Sequence, residues 1–522
     1  MCIVTGSCQI RGLTGFHIGS NDSILGRLSK LKHAVFGSVG SAGASTDQVP
    51  VGIKRKREGR RTTTCHREDP NLAHAALILS VTATSAFFHN KSSRSLDLFA
   101  SAKEAAQAAL SWLKSALNIL EKSWPTDSSC LEEVQARSML SYLVYNIEGC
   151  SACFRFLYSC LLVTAQEICL HLLNSLLSVQ QWHIASTDWM LGLIGRPTNR
   201  TYNVQPRQIN VRYPHNINDN KASLLDKTFT MPPDTATALS CFIKRIQLAK
   251  IARSIIDARV PGVPDAKVIN YDKVLKLNSL FENAFADFPS FLRPDGPIPT
   301  NTPHYLALQR DVILFSFHSQ RARLHRPFLL HNKQDAHYRP SQETCLQSAC
   351  IVLSIATSLF QASKDEKVAS ALEARAIGCQ LGCVISHMFM ACTILALNAR
   401  LDPSQGVPAA GEGRNLPSSM TAESHAEVAQ ACRTLASAGE ESAVAENLVR
   451  NLVTMLRRYR IRVIDDVISS DSEHATTSGA EFPNNALDNI AKSNKKTVRS
   501  NGDHNTSYPV MLGKDNLSLH RL

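Results

Sequence analysis

The chain has 522 residues, a formal net charge of +12, 44% apolar residues and 6% aromatic residues. This apolar content can bury one large or two medium cores, which argues against a disordered or fibrous protein. The fifteen cysteines fall mostly inside apolar helical runs, so the spacing argues against a secreted disulfide scaffold and favours reduced, buried thiols. The first residues lack the charged and apolar regions of a secretory signal, so we expect an intracellular protein.

A basic arm precedes the first apolar periodicity. Residues 1–68 carry eleven Lys or Arg against four Asp or Glu. A compact basic run in this Gly- and Ser-rich segment favours nuclear import, while contact with DNA phosphates and a solvated tail without a specific role are the alternatives. We expect residues 1–70 to be disordered. The predicted import residues are Lys54, Arg55, Lys56, Arg57, Arg60 and Arg61.

Apolar residues between the basic arm and the C-terminal tail recur at three- and four-residue steps, which predicts helices almost throughout. No alternating run typical of strands appears, so the predicted fold is all-α, with irregular packing of helix pairs and disordered ends. The first helix should bury a stripe made of Phe99, Ala102, Ala106, Leu110, Leu113, Leu117 and Leu120. Further helices are predicted over 131–145, 154–177, 239–256, 268–285, 306–326, 344–360, 368–397 and 444–464.

Residues 376–397 carry no charge and are long enough to be considered as a membrane span. Gln380, Ser386 and His387 would be poorly solvated in lipid, where polar groups are costly. We therefore expect a buried helix here and no membrane partner.

The segment Gln320–Leu329 closes a predicted helix with cations, an aromatic residue and a proline. Pro327 lacks an amide donor, so the helix that starts near Leu306 should end just before it. Arg323 and Arg326 then lie near the helix C-terminus, where the helix dipole favours cations. This ending resembles the middle homology region of fungal zinc-cluster transcription factors, the fungal-specific transcription factor domain.

Further motifs lie upstream in the family's order, and the resemblance covers about 95–335. Ala165–His171 resembles a family helix, with Cys169 where the family usually has glycine. Trp182 and then Asp188–Pro197 resemble a helix that runs into a Gly-Arg-Pro turn, and Tyr213–Asp219 resembles a later short element. The acidic and arginine-rich run that the family places before the tryptophan is absent. The motif residues, for which a structural role is expected, are Gln166, His171, Asp188, Gly195, Arg196, Pro197, Arg323, His325, Arg326 and Pro327.

The alternatives for these motif residues stay open. The two histidines, His171 and His325, could be ligands rather than hydrogen-bonded packing residues. Arg196 and Arg326, each beside a proline, could bond helix-terminal carbonyls or a carboxylate such as Asp188, or could contact an effector or partner directly.

The resemblance also implies a DNA-binding cluster of six cysteines and two zinc ions. Cys150, Cys153, Cys160 and Cys169 have the spacing of the first two thirds of such a cluster, but Leu172 stands where the next ligand should be. The residues between them are mostly apolar, whereas a DNA-reading cluster needs cations. We expect no metal and no cofactor in this chain, with zinc only in an upstream cluster lost by evolution or from the gene model.

Enzyme motifs are weak. We find no nucleophile elbow, no zinc-protease motif and no Walker phosphate loop. The pair Asp465-Asp466 lacks the third carboxylate of a metal-diphosphate site, so we expect no enzymatic activity.

The sequence therefore predicts four parts: a basic arm over 1–70, a regulatory domain over 71–335, a C-terminal helical part of the same region over 336–470, and a disordered tail over 471–522. The resemblance implies a nuclear transcription regulator that acts through the transcriptional machinery or co-regulators, with a small effector and a homodimer also compatible. DNA would be reached only through a missing or partner domain. The alternative is a non-enzymatic α-helical scaffold that has lost transcriptional function.

Overall fold

The structure is a computed structural model, and it describes most of the chain between residues 72 and 401. The predicted import residues, the Gly195-Arg196-Pro197 turn, the predicted helix over 444–464 apart from two positions, and the tail over 471–522 lie outside the described residues. Those described are 72–89, 99, 101–123, 129–172, 178–194, 201–218, 230–259, 269–300, 302, 305–329, 336–361, 378, 380–401 and the single positions 429, 430, 433, 448 and 450.

The described residues form ten α-helices and no strand, which confirms the all-α prediction. Short 3₁₀ turns follow α4 at Leu170–Leu172 and α8 at Arg326–Phe328. The helices are α1 Leu72–Phe87, α2 Ala102–Ser123, α3 Leu131–Glu148, α4 Ala152–Glu167, α5 Ser178–Ile194, α6 Ser240–Asp257, α7 Tyr271–Ala286, α8 Leu306–His325, α9 Arg339–Gln361 and α10 Gly382–Leu401.

Helix α1 packs against both α2 and α3. The predicted apolar stripe of α2 is wrong by one position at several places, because Ala106, Leu110 and Leu117 are partly exposed. The small alanines allow close approach of α1, whereas the leucines cover the edges of the contact. The buried line of α2 runs through Ala105, Ala109, Leu113, Ala116 and Leu120.

Helix α8 lies among α6, α7, α9 and α10 and is buried on several faces. Four of its apolar residues are each at most 5% exposed: Leu308, Val312, Phe315 and Ala322. Next to them, the rings of Phe281 in α7 and Phe317 in α8 meet edge to face, with centroids 5.6 Å apart. This arrangement is favoured by the aromatic quadrupole and adds to the gain from burial.

Helix α4 ends ten residues before the predicted limit of 177. Its C-cap is Ile168, and the next residue, Cys169, has φ 54°, a left-handed conformation that does not continue an α-helix. The end of α8 was predicted well, because the helix stops at His325 and Pro327 belongs to the following 3₁₀ turn.

Helix α10 begins at Gly382 because the backbone there approaches α3 closely. The Gly382 N–H donates to Oδ1 of Asn146 over 2.9 Å, and a Cβ on Gly382 would come within 3.0 Å of the Tyr145 carbonyl oxygen. The start at 368 predicted for this helix falls outside the described residues.

One helical stretch in the described chain, Ala336–Phe360, has the length and hydropathy of a membrane span, and 44% of its most apolar window is buried. The core helix of a soluble protein has the same properties, so this is weak evidence for a membrane. The segment singled out from the sequence is instead represented by the shorter apolar helix Gly382–Asn398.

Candidate functional site

The polypeptide from 201 to 213 lies against α5, and a buried carboxylate holds it there. Asp188 accepts hydrogen bonds from the backbone N–H groups of Asn203 and Val204, over 2.6 and 2.7 Å, and from Nδ2 of Asn203 over 3.0 Å. Burial raises the pKa of Asp188, and these hydrogen bonds act in the opposite direction. Asp188 therefore anchors the segment 201–213 through its backbone.

Two indoles of α5 extend this attachment. Trp189 donates to the Val204 carbonyl over 2.8 Å, and Trp182 donates to the Arg212 carbonyl over 2.9 Å. Lys250 of α6 lies over the ring of Trp182, 5.3 Å from its centroid, a favourable cation–π contact. The tryptophan and aspartate of the second sequence motif thus act on one segment.

Asn216, in the short Tyr213–Asp219 motif, fixes the start of α6. The Asn216 carboxamide donates to the carbonyls of Pro232 and Thr235 over 2.8 and 3.1 Å. Its Oδ1 accepts from the hydroxyls of Thr237 and Ser240 over 2.6 and 3.0 Å. The side chain of one buried asparagine thus forms hydrogen bonds with both the carbonyl and the hydroxyl groups of the turn that precedes α6.

A cavity of about 250 Å³ opens between α4, α5 and the segment 201–209. Its apolar wall includes Leu162 and Ile184, which are buried. Gln166 and His171 of the Ala165–His171 motif lie in its wall, so the structure brings these two predicted residues together. The residues that line it are Leu162, Ala165, Gln166, His171, Gln181, Ile184, Val204, Gln208 and Ile209.

The polar groups of the cavity are uncharged carboxamides and one imidazole. Gln181 is 4% exposed, and within the described chain no hydrogen bond is found for its carboxamide. Gln166 and Gln208 are exposed and border the cavity. No Asp, Glu, Lys or Arg is found among the described residues that line it. These residues can therefore donate and accept hydrogen bonds but offer no formal charge.

The motif residue His325 lies apart from this cavity, where α8 meets α7 and α9. Its Nδ1 is 2.8 Å from Oγ of Ser341, and its Nε2 is 3.0 Å from Oδ1 of Asn278. Burial lowers the pKa of His325 to about 3, so the imidazole is neutral at physiological pH. Both ring nitrogens thus have partners within the protein.

The remaining residues of this motif surround the end of α8. Phe328 packs against Tyr271 and Tyr338, with centroids 5.1 and 5.4 Å apart. Burial lowers the pKa of the Arg326 guanidinium. Arg323 lines a second, smaller cavity of about 40 Å³ together with His387. The structural role expected for these residues stays a prediction, as does that of Pro327.

The four cysteines with the spacing of the first two thirds of a zinc cluster are free thiols on and around α4. Burial raises the pKa of Cys153 to about 11. Among the described residues, no group of three or more His, Cys, Asp or Glu is arranged to hold a metal ion.

The amino-acid sequence of this chain is similar to the sequences of three named proteins. It is 36% identical over 424 residues to transcription factor TAS2 of Pyricularia oryzae, with 74% of this chain and 54% of TAS2 covered. Its relatives are fungal transcription factors. It is also 29% identical to the probable transcription factor lepB of Aspergillus flavus, with 79% of this chain and 74% of lepB covered.

A third relative is AgnL11 of Paecilomyces divaricatus, a transcription factor of the agnestins biosynthesis cluster, which is 24% identical and covers 80% of this chain. The chain spans 54% of the length of TAS2 and 59% of that of AgnL11. No family model and no solved structure matches the chain. All three relatives are fungal proteins named as transcription factors, and none of them is named as an enzyme.

Sequence reasoning did not identify Gln181 and Gln208 as site residues. Gln181 lies just before Trp182, where the family's acidic and arginine-rich run is absent, and Gln208 belongs to no motif. A buried glutamine on an apolar helix face was the one available signal, and the sequence alone does not show which neighbours surround it.

Proposed function

We propose that this chain is the regulatory region of a fungal zinc-cluster-type transcription factor and that it works in the nucleus through co-regulators or the transcriptional machinery. The similarity to TAS2 supports the proposal, since 74% of the chain aligns. DNA is reached through another domain or a partner, and a homodimer would provide two such attachments. A small effector bound between helices shifts the output.

Among the described residues, no Asp, Glu, Lys or Arg lines the larger cavity, which agrees with a binding role. The polar residues described in its lining are three glutamines and one histidine. Glutamine is neither a nucleophile nor a general base at neutral pH, which leaves His171 as the one residue among them of a type used for general-base catalysis. The attachment of segment 201–213 through Asp188, Trp182 and Trp189 joins the cavity to α5. A bound molecule would therefore contact elements that the protein itself holds together.

A one-hybrid measurement tests this function. The full chain is fused to a heterologous DNA-binding domain in a fungal cell, and a reporter with the matching site is measured. We expect the fusion to raise or lower expression relative to the DNA-binding domain alone. The matched control is the fusion carrying Phe281→Asp, which places a charge at a fully buried position and should abolish the effect. Equal reporter expression with and without the wild-type chain would contradict the proposal and favour an inert scaffold.

A further inference from the structure

We propose that the cavity between α4, α5 and segment 201–209 binds a compact, uncharged molecule that carries a hydrogen-bond donor beside an acceptor, as a cyclic amide does. The inference rests on the proposed function in one respect, since the bound molecule would be the effector. The binding itself follows from the cavity's own chemistry.

The charge of the ligand follows from the lining residues. Among the described residues, neither a carboxylate nor a Lys or Arg side chain lines the cavity, so an ionic ligand would lose its hydration there without gaining a counter-charge from them. Transfer of an unpaired charge into such a site is strongly unfavourable. Neutral molecules are therefore favoured over carboxylic acids, phosphates and amines.

The hydrogen-bond pattern follows from Gln181. The residue is 4% exposed as a whole, and within the described chain its carboxamide, on a residue that lines the cavity, forms no hydrogen bond. A primary carboxamide presents one acceptor oxygen and one donor nitrogen side by side. A cyclic amide holds its N–H and C=O on the same edge, so the two groups can pair through two hydrogen bonds.

The size and shape of the ligand follow from the walls. A volume of about 250 Å³ is slightly below the usual range of roughly 300–1,000 Å³ for ligand pockets and suits a molecule of two small rings. Leu162, Ala165 and Ile184 are buried apolar walls, and they would gain from contact with an apolar ring face. His171, Gln166 and Gln208 remain available for a polar substituent at the opening.

Occupancy would be coupled to the surrounding structure because the walls come from three elements. Leu162 belongs to α4 and Ile184 to α5, while Val204 belongs to the segment that Asp188 and Trp189 hold. A ligand that contacts all three stabilises their joint arrangement by its binding free energy. This gives an effector a physical means to favour one arrangement of the regulatory region.

The test uses the purified full chain and two fluorinated probes. The first is 6-fluoroquinolin-2-one, a two-ring neutral cyclic amide, and the second is its N-methyl derivative, which lacks the donor. Binding is followed by the fluorine NMR signal of each probe and by thermal denaturation of the protein. We expect the unmethylated probe to bind. The affinity of the N-methyl probe should be lower by about tenfold or more, since one of the two paired hydrogen bonds is lost.

Two variants test whether the probe binds in this cavity. Gln181→Leu should weaken binding of the unmethylated probe about tenfold or more, and Ala165→Phe, which fills the cavity, should abolish it. The matched control is Gln180→Leu, because Gln180 is equally buried on the same helix but does not line the cavity. This control should bind the probe within about twofold of the wild type.

Two results would overturn the inference: no binding of the unmethylated probe, or equal affinity of both probes for the wild-type chain. Both results are measured on the wild-type chain, so neither depends on whether a variant folds. Binding that survives both Gln181→Leu and Ala165→Phe would place the site elsewhere and also contradict it. The reporter measurement above uses no probe, so a chain that binds the probe but leaves the reporter unchanged refutes the proposed function alone.

Discussion

Cys169 is an unusual residue because it takes a backbone conformation that suits glycine. Its φ of 54° lies in the left-handed region, which costs an L-residue about 1–2 kcal/mol. The resemblance to the zinc-cluster family places a glycine at this position. This side chain is exposed, so the structure gives no packing gain that would offset the cost.

We expect Cys169→Gly to raise the free energy of unfolding by about 1 kcal/mol, because glycine adopts positive φ without a steric penalty. Chemical denaturation followed by circular dichroism measures the change. Cys169→Ser is the matched control, since it also removes the thiol but keeps the Cβ, and it should leave stability near the wild-type value. Equal stabilisation by both substitutions would show that the thiol, not the backbone, is responsible.

His387 is a buried imidazole with an apolar neighbour. Its ring stacks on Phe315 with centroids 6.4 Å apart, and in the described chain its Nδ1 has no hydrogen-bond partner. Burial lowers the pKa of His387 to about 3, and the charge of Arg323 acts in the same direction. The unfolded chain, with an ordinary histidine pKa near 6.5, thus binds more protons between these two values.

The free energy of unfolding should therefore fall as the pH drops from about 6.5 towards 3, and His387 should contribute about 1–2 kcal/mol of the loss between pH 7 and pH 5. Burial raises the pKa of Asp311 to about 6, which partly opposes this trend below pH 6. His387→Phe should reduce the loss, and the neighbouring cavity of about 40 Å³ provides room for the larger ring. Denaturation curves at several pH values measure how much unfolding free energy each protein loses as the pH falls.

The control for this pH dependence is Met388→Leu, a substitution at the next buried position that removes no titrating group. It should keep the wild-type dependence even if it changes the stability at pH 7. A dependence that is the same in His387→Phe and in the wild type would show that His387 does not titrate on unfolding as predicted.

At the scale of helices, the prediction was sharpest where a residue marks the end of a helix. The end of α8 followed from Pro327, which cannot continue a helix. Helix α1 was missed because its sequence is apolar or small on nearly every side and shows no stripe. The buried line of α2 was shifted because Ala105 and Ala109, rather than the larger leucines, face a closely packed neighbour.

The candidate site was predictable only in part for a similar reason. Gln166 and His171 were identified through a motif, and both line the larger cavity. Gln181 and Gln208 join them because segment 201–209 folds back on α5, and the hydrogen bonds that fix it run from backbone groups to Asp188. Such backbone contacts depend on tertiary geometry and leave no residue pattern in the sequence.

We expect Asp188→Asn to destabilise the protein by about 1–3 kcal/mol, because an amide nitrogen would face buried N–H donors that the carboxylate now accepts. Limited proteolysis should then cut more readily in segment 201–213. The matched control is Asp257→Asn, since Asp257 accepts from the Tyr202 hydroxyl of the same segment over 2.8 Å but is half exposed. Its effect should be small. Similar losses for both variants would contradict a special role of Asp188.

At the scale of the whole molecule, the helices that line the larger cavity connect to the centre through successive packed pairs. Helix α5 packs extensively against α6, and α6 packs against α8. Arg245 of α6 reinforces the first contact through Nη2, which donates to Oγ1 of Thr187 over 2.7 Å. The central helix α8 then meets α9 and α10. A ligand between α4 and α5 would therefore act on a continuous set of packed helices.

The charge distribution of the whole chain leads to the last prediction, which concerns localisation. The excess of cations in residues 1–68 lies outside the described residues, and a compact basic run suits recognition by import receptors. A fluorescent reporter fused to residues 1–68 should therefore accumulate in the nucleus. Replacing Lys54, Arg55, Lys56 and Arg57 together with Ala should abolish that accumulation.

The matched control for import replaces Arg11, Arg27, Lys30 and Lys32 with Ala. It removes the same charge from the same arm but leaves the compact run intact. If clustering of charge is what matters, this control should still accumulate in the nucleus, whereas total charge alone would predict an equal loss in both variants. Nuclear accumulation that persists without Lys54, Arg55, Lys56 and Arg57 would show that entry depends on another segment or on a partner.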